Sequence, residues 1–416
     1  MKVIVLGAGV VGTTCAWYLR AAGHDVQVLE RQAAAGMETS FANGGQISVS
    51  HAEPWANPGA PLKVLKWLWR EDAPLLFRLR ADPNQWLWGL QFLIECLPQR
   101  TRRNIVQLVN LGLYSRASLR SLRRETGIEY DHLGRGILHL YTDPREFEAA
   151  EAPARLMREL GSDRQLKTSE ECVAIEPALA PVRHRLAGGT YSAADESGDA
   201  HKFTQELARL AARRGVRFDY GARIERIAAD GDAISGVQIA RADERRDTVR
   251  GDAYVLALGS YSPILARPLG MRLAIYPAKG YSVTMPVKNA AAAYTVSMTD
   301  DEYKLVYSRL GDRLRIAGTA ELAGYDTTIN EVRCRAIVRR TMELFPDAGE
   351  PREAQFWSGL RPSTPSNIPY IGRTKYRNLF LNTGHGTLGW THACGSGRAL
   401  ADIVSGRRPE VDFRFC

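Results

Sequence analysis

Near the amino terminus, Gly7-Ala8-Gly9-Val10-Val11-Gly12 and the later acid Glu30 have the types and spacing to hold an adenine dinucleotide. Gly7 permits a tight turn, Gly9 lets a pyrophosphate approach the backbone, and Gly12 lets a helix pack closely on a strand. The helix that opens here turns the positive end of its dipole toward the phosphates. Glu30 stands 18 residues beyond Gly12, where a carboxylate accepts hydrogen bonds from a ribose and favours an unphosphorylated adenosine. A second glycine-rich segment, Thr383-Gly384-His385-Gly386-Thr387-Leu388-Gly389-Trp390-Thr391, opens a closing helix that runs to about Ser405. It aims another helix amino terminus at the cofactor region.

These segments need a sheet to carry them. Val3-Ile4-Val5-Leu6 and Val26-Gln27-Val28-Leu29 read as apolar strands flanking the first helix, and residues 253–260 read as a buried strand returning to the same sheet. Residue Gly127 ends an amphipathic helix over 105–126. A strand follows at 136–141, then a helix over 147–160, a helix from 203 to Arg214, and strands near 215–218 and 221–227 before a turn at Gly231-Asp232. Residues 271–355 alternate like an antiparallel sheet and end in a helix from about Asn330 to Leu344. The loop after Glu30 contains Ser40, Asn43, Gly44, Gly45, Gln46 and Ile47. Its small residues suit either close approach to a flat ligand or a flexible connector.

A chain of 416 residues with ordinary apolar and charged content has room for two domains, and no linker or repeat divides it. Six scattered cysteines show no metal-ligand spacing, so free thiols, a reducing compartment and no metal site are expected. The formal charge of +9 favours acidic partners. Nothing in the pattern matches a nucleic-acid module, and no apolar run approaches the ~20 residues of a membrane span. Residues 53–110 hold five of the eight tryptophans (Trp55, Trp67, Trp69, Trp86, Trp88), mixed with Lys63, Lys66, Arg70, Arg78, Arg80, Arg100, Arg102 and Arg103. Such a mixture suits a bilayer interface; equally, the indoles could fill a second core.

Taken together, GAGVVG, the segment Ser40 to Ser48, VLALGSYS (255–262), Lys279-Gly280-Tyr281-Ser282, Gly359-Leu360-Arg361-Pro362 and NTGHGTLGWTHACGSG (382–397) resemble the D-amino acid oxidase-like flavoproteins, most closely the bacterial D-amino acid dehydrogenase family. The resemblance implies non-covalent FAD on a discontinuous α/β Rossmann-like domain (1–52, 186–270 and 356–416), with an α+β substrate domain carrying a mixed or antiparallel sheet (53–185 and 271–355). It implies hydride transfer from Cα of a D-amino acid to flavin N5, giving a 2-oxo acid and ammonia after hydrolysis. Electrons would go to a quinone or another respiratory acceptor, from a cytoplasmic enzyme resting peripherally on the inner membrane through residues 53–110. The alternatives are a secondary-amine substrate (D-proline, D-hydroxyproline or sarcosine) and a non-catalytic flavin-binding module at a membrane surface.

Residue by residue, the resemblance places Val3, Gly7, Gly9, Val10, Val11, Gly12, Glu30, Arg31, Ser40, Asn43, Gly44, Gly45, Gln46, Ile47, Ile224, Ala257 and Gly259 on FAD. Gly384, Gly386, Thr387, Leu388, Gly389, Trp390 and Thr391 would join them at the flavin, whose N1 and O2 edge gains negative charge on reduction. Arg361 would clamp the substrate carboxylate, since guanidinium pairs with it bidentately. Tyr303 and Tyr307, four apart on one presumed strand face, would touch or cover the substrate or else pack in a core. His51 would line the pocket or serve structure. Where relatives carry Asp-Gly after the GLRP segment, this chain has Ser366-Asn367, which keeps a turn-competent Asn.

Overall fold

The computed structural model describes residues 1–62, 75–78 and 80–416. Trp67, Trp69, Lys63, Lys66, Arg70 and Pro74 of the tryptophan-rich stretch lie outside the described residues.

Alternation in the first strand, Lys2–Leu6, sets the architecture. Val3 and Val5 face one side, Ile4 and Leu6 the other, and all four are fully buried. A strand buried on both faces belongs at the centre of a sheet. Here it lies between Ala253–Leu256 and Asp25–Glu30, parallel to both. Leu379–Thr383 and Arg217–Tyr220 extend the parallel order outward, and Tyr370–Arg373 closes one edge antiparallel. The face with Val3 packs on the helices Val10–Ala21, Pro98–Thr126, Ala200–Arg213 and Gly389–Val404. The face with Ile4 packs on a three-stranded antiparallel sheet, Arg223–Asp230, Ala233–Ala240 and Arg246–Val249.

Two helices cross at glycine. A Cβ on Gly397 of the closing helix would stand 3.0 Å from the Cys15 nitrogen, and Thr14 Oγ1 donates to the Ala393 carbonyl at 2.9 Å. This contact holds the first and closing helices side by side. Gly395 does the same against the long helix, where its Cβ would meet Ser115 at 2.7 Å.

A second, nine-stranded mixed sheet holds Gln355–Ser363, Tyr276–Pro286, Arg313–Leu322, Leu305–Leu310, Ser297–Asp300, Ile137–Tyr141, Gly188–Ser192 and Gln165–Lys167 in that order, with Leu75–Phe77 beside Arg313–Leu322. One face packs on the helix Glu331–Leu344 through Tyr281, Val283, Ile316, Cys334 and Ile337. Within 271–355 every strand pair is antiparallel, as the alternation predicts, and the sheet is mixed because Ser297–Asp300 also runs parallel to Ile137–Tyr141. The helix read over 147–160 is two, Pro144–Ala149 and Glu151–Glu159. Pro153 has no N–H to donate and its ring crowds the carbonyl four residues back, which breaks the run there.

The loop after Glu30 is tied to the long helix by one carboxylate. Glu196 sits in a two-residue strand paired with Gln46–Ile47 and accepts from Arg120 (2.6 Å), Arg123 (2.8 Å) and His132 (2.8 Å). Burial opposes its ionisation, but the hydrogen bonds from His132, Arg123 and Arg120 outweigh that and hold its pKa well below the usual carboxylate range. A depressed folded pKa adds stability above the unfolded value of about 4.3 and loses it as pH falls toward the folded one. Glu196→Gln should cost roughly 2–3 kcal/mol at pH 7, less than a fully buried pair because the arginines keep some water. In urea melts the gap between variant and parent should narrow as pH drops from 5 toward 3.

Candidate active site

Between the two sheets lies a cavity of about 950 Å³. One end is walled by Gly7, Gly9, Glu30, Arg31 and Ile224, the middle by the 42–48 loop and Ala257 to Ser260, and the far end by Arg361 and Gly384 to Thr391. Both helix amino termini open on it, since Val10 and Val11 line it together with Gly389 and Trp390. The residues that bring them there are the turn glycines. Gly7 has φ +103°, and a Cβ on Gly12 would fall 1.9 Å from the Gly7 carbonyl oxygen. Only glycine fits either place.

The chemistry of the walls fits FAD. At the adenosine end, Glu30 accepts from the backbone N–H of Ala8 (2.8 Å) and Gln32 (2.9 Å), and its carboxylate still has lone pairs for a sugar. Burial raises its pKa. Arg31 lies 4.0 Å over the Tyr261 ring and pairs with Glu38 at 2.5 Å, fixing that wall. At the other end the closing helix has no side-chain cap. Asn382 Oδ1, His385 Nε2 and Trp390 Nε1 are buried there without a hydrogen-bond partner among the described residues. Polar groups left open around a cavity of this length suit a ligand with a polar ring. Burial pushes His385 down to about 3, with His392 adding to the effect, so its ring is neutral.

The loop between these ends is held from the second sheet and from Asp195. Gln46 Nε2 donates to Ser297 Oγ (3.1 Å), and Ser308 Oγ to the Gly44 carbonyl (2.7 Å). Asp195, fully buried, accepts from the N–H groups of Val49 and Ser50, both at 3.1 Å, and from the hydroxyls of Ser48 and Ser50. That carboxylate sets the path of the chain into His51, which lines the cavity. Asn367 takes the left-handed conformation (φ 62°) and its Oδ1 accepts from the Trp55 N–H, as a turn-competent Asn allows.

Arg361 lines the cavity, and its guanidinium donates to the carbonyls of Thr319 (2.8 Å) and Gly318 (3.5 Å). No carboxylate among the described residues forms an ion pair with it. Burial, with Arg333 nearby, lowers its pKa to about 10. Gly280 makes room for it, because a Cβ there would stand 2.3 Å from Arg361 Cζ. A half-buried cation held only by carbonyls is well placed to take an anion from a ligand in the cavity.

Several expected residues stand elsewhere. Val3 and Ile47 are core side chains, and Gly12 backs Gly7 from behind without lining the cavity. Tyr307 is fully buried against Tyr294 and Phe345, on the far side of its sheet. Val306, its neighbour, lines the cavity, so strand alternation sends Tyr307 away. Tyr303 precedes the strand Leu305–Leu310 in a turn where Lys304 has φ 54°, so the even spacing has no common face; it is 42% exposed, under Arg340. Conversely, Glu53, Tyr141, Arg164 and Asp301 line the cavity and carry no motif. They come from four separate segments, and no spacing joins them.

Comparison with known proteins agrees with this geometry. The DAO family, FAD dependent oxidoreductase, matches residues 2–403. A D-amino acid dehydrogenase of Dechloromonas aromatica (strain RCB) is 61% identical over 415 residues, covering 100% of this chain and 99% of the relative. That of Paramagnetospirillum magneticum (strain ATCC 700264 / AMB-1) is 60% identical, covering 99% and 97%. Among solved structures, glycine oxidase from Geobacillus kaustophilus superposes with a TM-score of 0.76 at 23% identity, covering 99% of this chain and 96% of that one.

Because Tyr307 Oη is buried and has no hydrogen-bond partner among the described residues, Tyr307→Phe should leave turnover unchanged and raise stability by up to about 1 kcal/mol. Thermal denaturation and steady-state rates check this; a fall in kcat would return Tyr307 to the site.

Proposed function

The chain belongs to the FAD dependent oxidoreductase family, and we propose that it oxidises D-amino acids to 2-oxo acids and ammonia on bound FAD, passing the electrons to a quinone or another respiratory acceptor. The observation that carries the substrate is Arg361, a half-buried cation without a carboxylate partner among the described residues, on the wall it shares with Gly384 to Thr391. Bound FAD supplies a two-electron acceptor that takes the Cα hydrogen of an amino acid.

The protein's task is positioning. Arg361 takes the substrate carboxylate in a bidentate pair and so fixes the rotation of Cα. The carbonyls of Thr319 and Gly318 hold the guanidinium plane still. The unfilled N–H groups at the start of the closing helix favour negative charge at the cavity's far end, where reduction would place it. Gly7, Gly9, Val10 and Glu30 would hold the distant adenosine end, the glycines by letting the backbone come close and Glu30 by its carboxylate. Purified protein should be yellow and should bleach anaerobically with D-alanine but not with L-alanine. Arg361→Ala should raise KM at least ~30-fold, the effect of losing about 2–5 kcal/mol from a buried charge pair. An unaltered KM would remove Arg361 from the substrate.

We further propose that the helix Pro83–Glu95 rests on an anionic membrane surface. Gln85, Trp88 and Phe92 bury one of its faces, and Trp88 Nε1 donates to the Ser363 carbonyl at 2.8 Å. On the other, Trp86, Leu87, Leu90, Leu93 and Ile94, with Leu97 just beyond, are 42–58% exposed. An apolar stripe of this size is unusual on a free surface. Arg100, Arg102 and Arg103 are exposed next to it and complement anionic head groups. No helix among the described residues is long and apolar enough to cross a bilayer. The protein should float with vesicles containing phosphatidylglycerol at low salt and detach as salt rises. Leu90→Glu with Leu93→Glu should lower the partition coefficient about tenfold or more; unaltered flotation would sink this surface.

A further inference from the structure

Two imidazole–carboxylate pairs stand together at one wall of the cavity, without a task in the chemistry above. His51 lines the cavity, and its Nδ1 faces Glu53 Oε2 at 3.8 Å. His139 is 1% exposed and holds Asp301 Oδ2 at 2.8 Å through Nδ1. The two rings are 4.9 Å apart, tilted by 34°. His51 Nδ1, His139 Nε2 and Glu53 Oε2 are all buried without a hydrogen-bond partner among the described residues. Buried polar atoms are rarely left bare, and three of them at one wall of the cavity mark a place suited to the polar group of a ligand.

The hydrogen bond to Asp301 fixes His139 as the tautomer with a proton on Nδ1, which leaves Nε2 as a bare acceptor. Around the two rings the charges balance. Arg164 Nη1 binds Glu53 Oε1 at 2.6 Å, and Lys304 Nζ binds Asp301 Oδ1 at 2.8 Å. Tyr141 contributes a hydroxyl 3.2 Å from Arg164, and Glu146 lines the same cavity. Burial, then the neighbouring His139, lower His51 to about 4, so in the resting protein it is a neutral acceptor. Two carboxylates against two cations leave room for one passing proton, while ring-to-ring repulsion resists a second. Lys304, 44% exposed, marks the solvent edge of the row.

An amino acid reaches the cavity as an ammonium, whose nitrogen lone pair is engaged by a proton. We propose that His51 accepts this proton and that His139 and Asp301 conduct it to solvent beside Lys304. The inference rests on the D-amino acid reading above. In the balanced step the N–H bond breaks and its proton leaves by this row. The freed lone pair forms C=N as the Cα hydrogen departs with its electron pair to FAD, so the substrate is oxidised by two electrons and FAD is reduced. His51 touches the substrate; His139 and Asp301 are positioning residues that act through it. A ring separation of 4.9 Å is one that a proton crosses through one water or a small rotation.

The test uses holoenzyme of His51→Gln, His139→Gln and Asp301→Asn, with FAD content checked first. Anaerobic bleaching by D-alanine at pH 7 should slow on the order of 10²-fold for His51→Gln and at least about tenfold for the other two, with added imidazole restoring part of the rate. At pH 10, where much of the substrate is already a free amine, the variants should approach the parent rate. Equal slowing at both pH values, or no slowing at pH 7, overturns the route. A second arm reads 15N shifts of the histidine rings during pH titration. Removing the repelling ring in His139→Gln should raise the His51 midpoint, and an unmoved midpoint separates the two rings and overturns the coupling. Should D-alanine fail to bleach the parent at any pH, the substrate reading fails, while the titration still decides whether the rings share a proton.

Discussion

The arrangement depends on a close contact between two helices that are far apart in sequence. The helix after Gly9 and the helix after Leu388 touch through Thr14, Cys15, Ala393 and Gly397, and side chains larger than hydrogen at Gly397 would separate them. Because they meet on the same face of the central sheet, both amino termini open on one cavity. A helix end is a directional source of partial positive charge that fades within a turn. Two of them serve one elongated ligand only if their positions are fixed to within ångströms, and glycine contacts between rigid helices supply that. The remaining walls can then differ without moving the cofactor end.

Electrostatics distinguishes two stretches of the cavity wall. Around Arg361 the guanidinium donates to carbonyls, and no carboxylate among the described residues pairs with it. Around His51 the carboxylates of Glu53 and Asp301 are matched by Arg164 and Lys304. An amino acid has the complementary pattern, an anion and an ammonium separated by one carbon. Neither half of this arrangement would be stable as an isolated buried charge. Each is retained by neighbours drawn from other elements, such as Asp195, which holds the chain leading into His51.

The tryptophan-rich stretch illustrates how composition can point two ways at once. Trp88 belongs to a core and Trp55 packs partly against it, whereas Trp86 lies among leucines facing outward. Indoles concentrate both in cores and at bilayer interfaces because they combine a large apolar surface with one donor. Which role a given indole takes depends on the helix face, and the two-residue step from Trp86 to Trp88, about 200°, separates the two.

Local patterns determined much of this protein. The glycine turns, Glu30, the alternation of Val3 to Leu6 and the helix ended by Gly127 follow from steric and periodic rules acting over a few residues. The family motifs carried Arg361 to the cavity, because its neighbours in sequence move with it. Tyr303 and Tyr307 show where such rules stop. Their spacing was even, but a left-handed Lys304 ended the extended run, and alternation beside Val306 turned Tyr307 into the other core. Only the tertiary structure brought His51, His139, Arg164 and Asp301 together, since they share neither a strand face nor a helix turn. Their meeting is set by how the second sheet packs over the loop that begins at Ser48. Packing of that kind is a sum of many weak contacts, and no single spacing in the chain records it.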